Sequence, residues 1–312
     1  MCEGNQTTVF VFVLLGFPIF NNLRFYFFTF FLFIYIFILT ENLTIVTLLS
    51  TNCRLYAPMF FFLKQLALCD LFLTTNTVPK LLEVIWLEGS SISFSGCIAQ
   101  FYLHSVAGIV ECFILTVMSY DRYLAICNPF HYVCIMNYSH CLNLAVWSWL
   151  LGFLVMVLEM LLIWNLQFCG SNVIDHFFCD FAPLLELSSS DISTVVLEDF
   201  VFSMPVIVCP FMFILGTYIF ILIAILKITS KDGRKKAFST CSSHLAIVCT
   251  YYGTLIAVYV VPSEGLNINK FRSLLYIMLT PLFNPLIYSL RNVEIKGALQ
   301  KLVNPRKKIR ST

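Results

Sequence analysis

The sequence predicts an all-α membrane protein, a seven-transmembrane helix bundle with an extracellular amino terminus and a cytoplasmic carboxyl terminus. Three observations predict it. Of 312 residues, 59% are hydrophobic and only 12% are charged, against roughly 25% charged in a water-soluble domain, so most of the surface has to face lipid. The apolar residues gather in seven runs, each long enough to cross about 30 Å of hydrocarbon as a helix, which satisfies its own backbone amides where lipid offers no partner. Finally, 12 of the 19 Lys and Arg lie in Lys227 to Lys236 and Arg291 to Arg310, whereas Cys141 to Leu226 holds none and carries seven acids. Basic residues mark the cytosolic side.

Taken in order, the runs are Phe25 to Leu49, Pro58 to Leu82, Phe94 to Cys127, Cys141 to Trp164, Val195 to Ile228, Ala237 to Val261 and Phe271 to Leu290. They are joined by a short loop around Arg54, a polar turn at Glu88 to Ser93, a loop at Asn128 to His140, a long one at Asn165 to Thr194, the basic link Lys227 to Lys236 and a turn at Pro262 to Lys270. Residues 1–24 are therefore read as the extracellular amino terminus, 25–291 as the bundle and 292–312 as the cytoplasmic tail. The tail opens with a short amphipathic stretch, Asn292 to Leu302, suited to the inner membrane face. The start of the chain lacks the pattern of a cleaved signal peptide. The sequon at Asn5 agrees with an outer amino end; a second, at Asn42, falls inside the first run and is inaccessible there.

Most of the 13 cysteines sit in apolar runs, where a thiol acts as a small hydrophobe. Cys97, Cys169 and Cys179 flank runs on the acidic, outer side, where a disulfide is permitted.

The densest constellation is MSYDRYLAICNP, Met118 to Pro129, at the inner end of the third run. Asp121 beside Arg122, followed by Tyr123, gives an ion pair that one state holds and another releases. In Asn284-Pro285-Leu286-Ile287-Tyr288 the proline removes a helical hydrogen bond and lets the helix bend. Asp70 and Glu111 are carboxylates deep within apolar runs, where an isolated charge costs several kcal/mol, so they share a proton, a cation or partners.

Together with Pro58 to Leu71 (PMFFFLKQLALCDL), Lys236 to Leu245 (KAFSTCSSHL) and Pro281 to Asn292 (PLFNPLIYSLRN), the Met118 motif resembles the odorant receptors among the rhodopsin-like G-protein-coupled receptors. The resemblance covers nearly the whole chain. It implies an odorant ligand and an olfactory-type stimulatory heterotrimeric G protein raising cyclic AMP, at the plasma membrane, with neither enzymatic activity nor nucleic acid involved. It also implies that Tyr218 and Tyr288 turn toward Arg122 on activation, that Lys235 and Lys236 help meet the G protein, and that Asp70 and Glu111 frame a sodium-type pocket near Asn42 and Asn284. Two protonated acids joined by hydrogen bonds are the other reading of that pair. No further cofactor is expected.

Cys97 and Cys179 would tether the long loop across the mouth of the bundle. Relatives carry a second loop bridge to which Cys169 corresponds, but the partner position reads Ser189, which leaves Cys169 a free thiol or paired elsewhere. Where many relatives have glycine, Glu41 precedes Asn42; it either joins the buried polar cluster or faces lipid.

For the ligand, Phe101, His104, Ser105, Gly108 and Ile109 share one face of the third run, and their counterparts line the odorant pocket. The same alignment adds Phe202, Val206, Tyr252, Leu255, Ile256, Tyr259, Leu274 and Ile277. Such a chamber suits a small, mostly apolar ligand. His104 is a hydrogen-bond donor, a metal ligand with Cys112 or a satisfied core histidine. No acid stands on this face, which speaks against a cationic ligand.

A non-odorant rhodopsin-like receptor is the nearest alternative. A channel or transporter would use the buried acids, but no inverted repeat is evident. An intramembrane enzyme is opposed by the lack of HExxH and GxSxG motifs.

Overall fold

The computed structural model describes residues 10–17, 23–52, 57–164, 166–260, 266–291 and 293–303. Its long helices are α1 (Arg24–Thr51), α2 (Pro58–Leu87), α3 (Phe94–Cys127), α5 (Tyr138–Trp164), α7 (Ser193–Leu226), α8 (Lys231–Leu255, continued by a π-helical turn Ile256–Val260) and α9 (Leu266–Arg291), with the short helices α4 (Pro129–Ile135), α6 (Phe181–Glu186) and α10 (Val293–Val303) between or after them. Six of the long helices are each long and apolar enough to span a membrane, and α9 meets the same test together with α10, from which it is bent by 88°. That bend turns α10 across the end of the bundle, packed on α9 with Ile295 and Ala298 buried.

Local chemistry sets the helix ends. Pro58 opens α2, where its missing amide costs nothing. Glu88 ends α2 in the left-handed region at φ 59° and pairs with Arg24 at 2.7 Å. Ser93 caps α3 by accepting from the Gly96 amide. Two helices start earlier than their apolar runs. The Ser230 hydroxyl caps α8 by accepting from the Gly233 amide, so the basic residues Lys231, Arg234 and Lys235 are helical rather than linking. At the start of α5, Asn137 accepts from the His140 amide. The expected loop at Asn128 to His140 likewise contains α4, opened by Pro129.

α3 runs through the centre, packed against α2, α5, α7 and α8. Phe33, Leu154 and Phe220 point outward and are more than half exposed, a liability in water and the ordinary condition of a helix face in lipid. Asn42 is buried in α1 and Thr44 bonds the Thr40 carbonyl, so the second sequon is helical. Asn5 lies outside the described residues.

A small sheet closes the outer end. Strand β1 (Val11–Leu14) pairs antiparallel with β2 (Ser90–Ser93) and parallel with β3 (Val173–Ile174), in the order β2-β1-β3. What reads as a polar turn before α3 is thus a strand, made so by a partner some 80 residues earlier in the chain. Buried Lys270 donates to the Gly16 carbonyl and the Asp175 carboxylate, fastening this cap to α9.

Candidate functional site

Under the cap lies a cavity of about 310 Å³ bordered by α3, α5, α7, α8 and α9 and by the loop leading into α6. The roof is held by the Cys97–Cys179 disulfide, 82 residues apart in sequence, beside which the Cys179 amide donates to Gln100 Oε1 at 3.0 Å. Gln100 and Asn76 exchange hydrogen bonds through each other's carbonyls, fixing α2 to α3 at this level. The loop then drives Phe177 and Phe178 into the bundle, with Phe178 4.9 Å from the His104 ring. His176 is buried beside them, and burial, with Lys270 nearby, pushes its pKa down to about 3.

Phe101, His104, Ser105, Gly108 and Ile109 all border the cavity, as do Val206 and Leu255. Gly108 gives room where α9 approaches: a Cβ there would stand 2.9 Å from the Tyr276 hydroxyl. Its carbonyl accepts from Tyr251 at 2.7 Å.

Below the cavity, Asn284 of α9 donates to both Asp70 oxygens and to Glu111 Oε1, each at 3.1 Å. Both acids are almost wholly buried. Asn42 donates to the Pro281 carbonyl at 3.1 Å, while its Oδ1, Asn284 Oδ1 and Thr280 Oγ1 are buried without a hydrogen-bond partner among the described residues. Two carboxylates and unused amide oxygens form a donor set that fits a hard cation such as sodium. Glu41 is half-buried, with Oε2 unpaired among the described residues.

At the inner end, Arg122 is held by its neighbour Asp121, Nε to Oδ2 at 2.9 Å, and Asp121 accepts also from Tyr132 of α4 at 2.8 Å. Tyr123 packs on Phe220 of α7 instead. His244 of α8 joins three helices: Nε2–H donates to the Leu115 carbonyl at 3.1 Å, which leaves Nδ1 to accept from the Tyr218 hydroxyl at 2.7 Å. Tyr288 is buried with its hydroxyl unpaired among the described residues. Neither tyrosine bonds Arg122 here. Lys235 is exposed, and the side chain of Lys236 lies outside the described residues.

A family model described as "Olfactory receptor" matches residues 31–306. The human protein "Olfactory receptor 11L1" is 45% identical over 301 residues, covering 96% of this chain and 94% of its own length. "Olfactory receptor 6N1", also human, is 42% identical over 303 residues, covering 96% and 97%. This chain belongs to the olfactory receptor family. Squid rhodopsin shares the fold at a TM-score of 0.72 with 15% identity, covering 92% of this chain and 83% of that one. An olfactory receptor is a multi-pass membrane signalling receptor and not an enzyme, which decides against the channel, transporter and intramembrane-enzyme readings.

The structure rearranges part of the expected receptor chamber. Phe202 is 42% exposed and Ile256 47% exposed, and neither borders the cavity. Tyr252 is buried but turned toward α7, with its hydroxyl 3.1 Å from the Cys112 sulfur and its ring against Phe211; Tyr251 borders the cavity in its place. On α9 it is Tyr276, not Leu274 or Ile277, that reaches the cavity. Tyr259's side chain lies outside the described residues. Cys169 is disulfide-bonded rather than free, and Ser189 keeps the corresponding contact by donating to the Cys169 carbonyl and accepting from its amide. The residues that sequence reasoning missed at the cavity are chiefly Glu159, Asp180 and Asp199. Their signal was the string of acids without Lys or Arg between Cys141 and Leu226.

Proposed function

We propose that this olfactory receptor binds a small odorant with a largely apolar body in the outer cavity and passes the event to a stimulatory heterotrimeric G protein, raising cyclic AMP at the plasma membrane. The observation that carries the reading is the stacking, along α3, of a roofed cavity above and a latched Asp121–Arg122 pair below. The cavity volume lies at the lower end of the roughly 300–1,000 Å³ range of small-molecule sites, which suits a volatile molecule.

A ligand that packs better when α8 and α9 are rearranged shifts a pre-existing equilibrium toward that arrangement. Tyr251, Leu255 and Tyr276 place those two helices in the cavity wall, and the same helices carry His244, Asn284 and Tyr288 further in. Movement of α8 away from α3 breaks the His244 link and opens a crevice beside Arg122. The exposed Lys235 and neighbouring Lys236 then meet the G protein and anionic lipid.

Asp70 and Glu111 would hold sodium in the latched state, with Asn42 and Asn284 supplying neutral oxygens; the ion would offset the buried negative charge. The test of the signalling route is a cyclic AMP assay in cells bearing the whole receptor. Arg122→Ala should abolish the agonist response at normal surface display, and a normal response would overturn the route.

A further inference from the structure

One wall of the cavity is unlike the rest. Glu159 of α5, Asp180 before α6 and Asp199 of α7 all border it, and across from them stands His104 of α3. Glu159 is only 8% exposed and has no hydrogen-bond or cationic partner among the described residues. His104 is only 3% exposed, and its Nδ1 likewise has none. Asp180 spends one oxygen on the Phe181 amide, and burial pushes its pKa up to about 6. Glu159 and Asp199 border the same cavity from α5 and α7.

Among the described residues no Lys or Arg borders the cavity to balance this charge. Of the outer cations, Arg24, Lys80 and Lys270 are engaged by Glu88, Glu83 and Asp175. Of the hydroxyls facing inward, Tyr251 is committed to the Gly108 carbonyl. The cavity therefore offers hydrogen-bond acceptors and negative charge in excess, in surroundings where unpaired carboxylates are costly. A carboxylic acid would add to the repulsion, and a hydrocarbon or ester would leave the acids unsatisfied.

We infer that the ligand is a small amine, protonated at neutral pH, whose ammonium group lies between Glu159 and Asp199, with Asp180 adding negative charge and the apolar body lying against Phe101, Ile109, Val206 and Leu255. His104 Nδ1 accepts a further N–H or a hydroxyl of the ligand. The inference rests on the reading of this cavity as the ligand site, and it replaces the expectation, drawn from α3 alone, that a cation finds no counterion. The acids come from three other elements.

The test uses the full-length receptor in cells with a G-protein readout, and hexylamine, cyclohexylamine and N-methylpiperidine set against hexanol, hexanoic acid and hexyl acetate. At least one amine should activate where the matched alcohol, acid and ester do not. Glu159→Gln and Asp199→Asn should each weaken the amine by about tenfold or more, the worth of one charged hydrogen bond. Glu198→Gln, an exposed acid beside Asp199, is the control and should change little. Silence toward every amine, with no amine-dependent rise in melting temperature of the purified receptor, overturns the inference, as does a neutral agonist indifferent to Glu159→Gln. If that agonist is still lost on Gly108→Val, the cavity reading survives without the amine. If it is indifferent to both substitutions, the ligand lies elsewhere and the cavity reading falls too.

Discussion

The outer and inner halves of the bundle treat their polar groups in opposite ways. At the inner end Asp121, Arg122, Tyr132, Tyr218 and His244 are satisfied by one another or by backbone, while Tyr288 keeps a buried hydroxyl that is unused among the described residues. In the outer cavity Glu159 and the Nδ1 of His104 are buried without a hydrogen-bond partner among the described residues. A half that is satisfied by itself is a latch, and a half that is not is a site. The buried Asp70–Asn284–Glu111 cluster stands between them and touches α2, α3 and α9 at once. On the proposed reading, this contrast means a receptor held from below and left incomplete above until a ligand binds.

The sharpest way to break the contrast is at the latch. His244→Phe removes the link between α3, α7 and α8 and leaves the Tyr218 hydroxyl and Leu115 carbonyl without that partner. A two-state element biased by about 1–3 kcal/mol shifts by roughly 5–150-fold, so basal cyclic AMP should rise about fivefold or more in unstimulated cells. Basal signalling at the wild-type level would mean that His244 does not hold the resting state.

A smaller effect is expected at the middle cluster. Adding sodium chloride, compared with the same concentration of choline chloride, should raise the melting temperature of the purified receptor, by about 2.7 kcal/mol of stabilisation at a hundred times the dissociation constant. Asp70→Asn should remove the difference. If wild type and variant respond alike, the acids are held by protons and hydrogen bonds instead.

At neutral pH the cap has no such effect, and its contribution shows only on acidification. His176 has its pKa lowered from 6.5 to about 3 in the folded receptor, so the unfolded chain binds the proton more readily. The stability this group contributes is full above about pH 6.5 and is lost as pH falls from there toward 3. The melting temperature should drop on acidification through that window, and His176→Gln should flatten the dependence. An unchanged slope in the variant would place the acid sensitivity in other groups.

How much could be read from the sequence differs between the same two halves. The seven spans were legible because lipid demands continuous apolar helices, and the Asp121–Arg122 pair because the two adjoin in one segment, whereas Tyr132 and His244 come from other helices and Tyr123 turns to Phe220. The outer half is assembled from distant segments. β1 becomes a strand through Ser90–Ser93 and Val173–Ile174, which no local pattern announces. The cavity's acids come from α5, the α6 loop and α7. On a helix face one residue decides, because successive helical residues point about 100° apart: that is the difference between Tyr252 and Tyr251, and between Ile277 and Tyr276. The cap of α8 at Ser230 was likewise hidden by the charges that follow it.

The central claim is that the roofed cavity of the outer half receives the agonist that releases the latch below. Gly108 tests it most directly, because a side chain at that point fills the space between α3 and Tyr276 without touching Asp121, Arg122 or His244. The measurement is the agonist dose-response of Gly108→Val in cyclic AMP, with receptor at the cell surface quantified in parallel. Overpacking by about 1–3 kcal/mol predicts a potency loss of roughly fivefold or more. Undiminished potency at equal surface display would contradict the account.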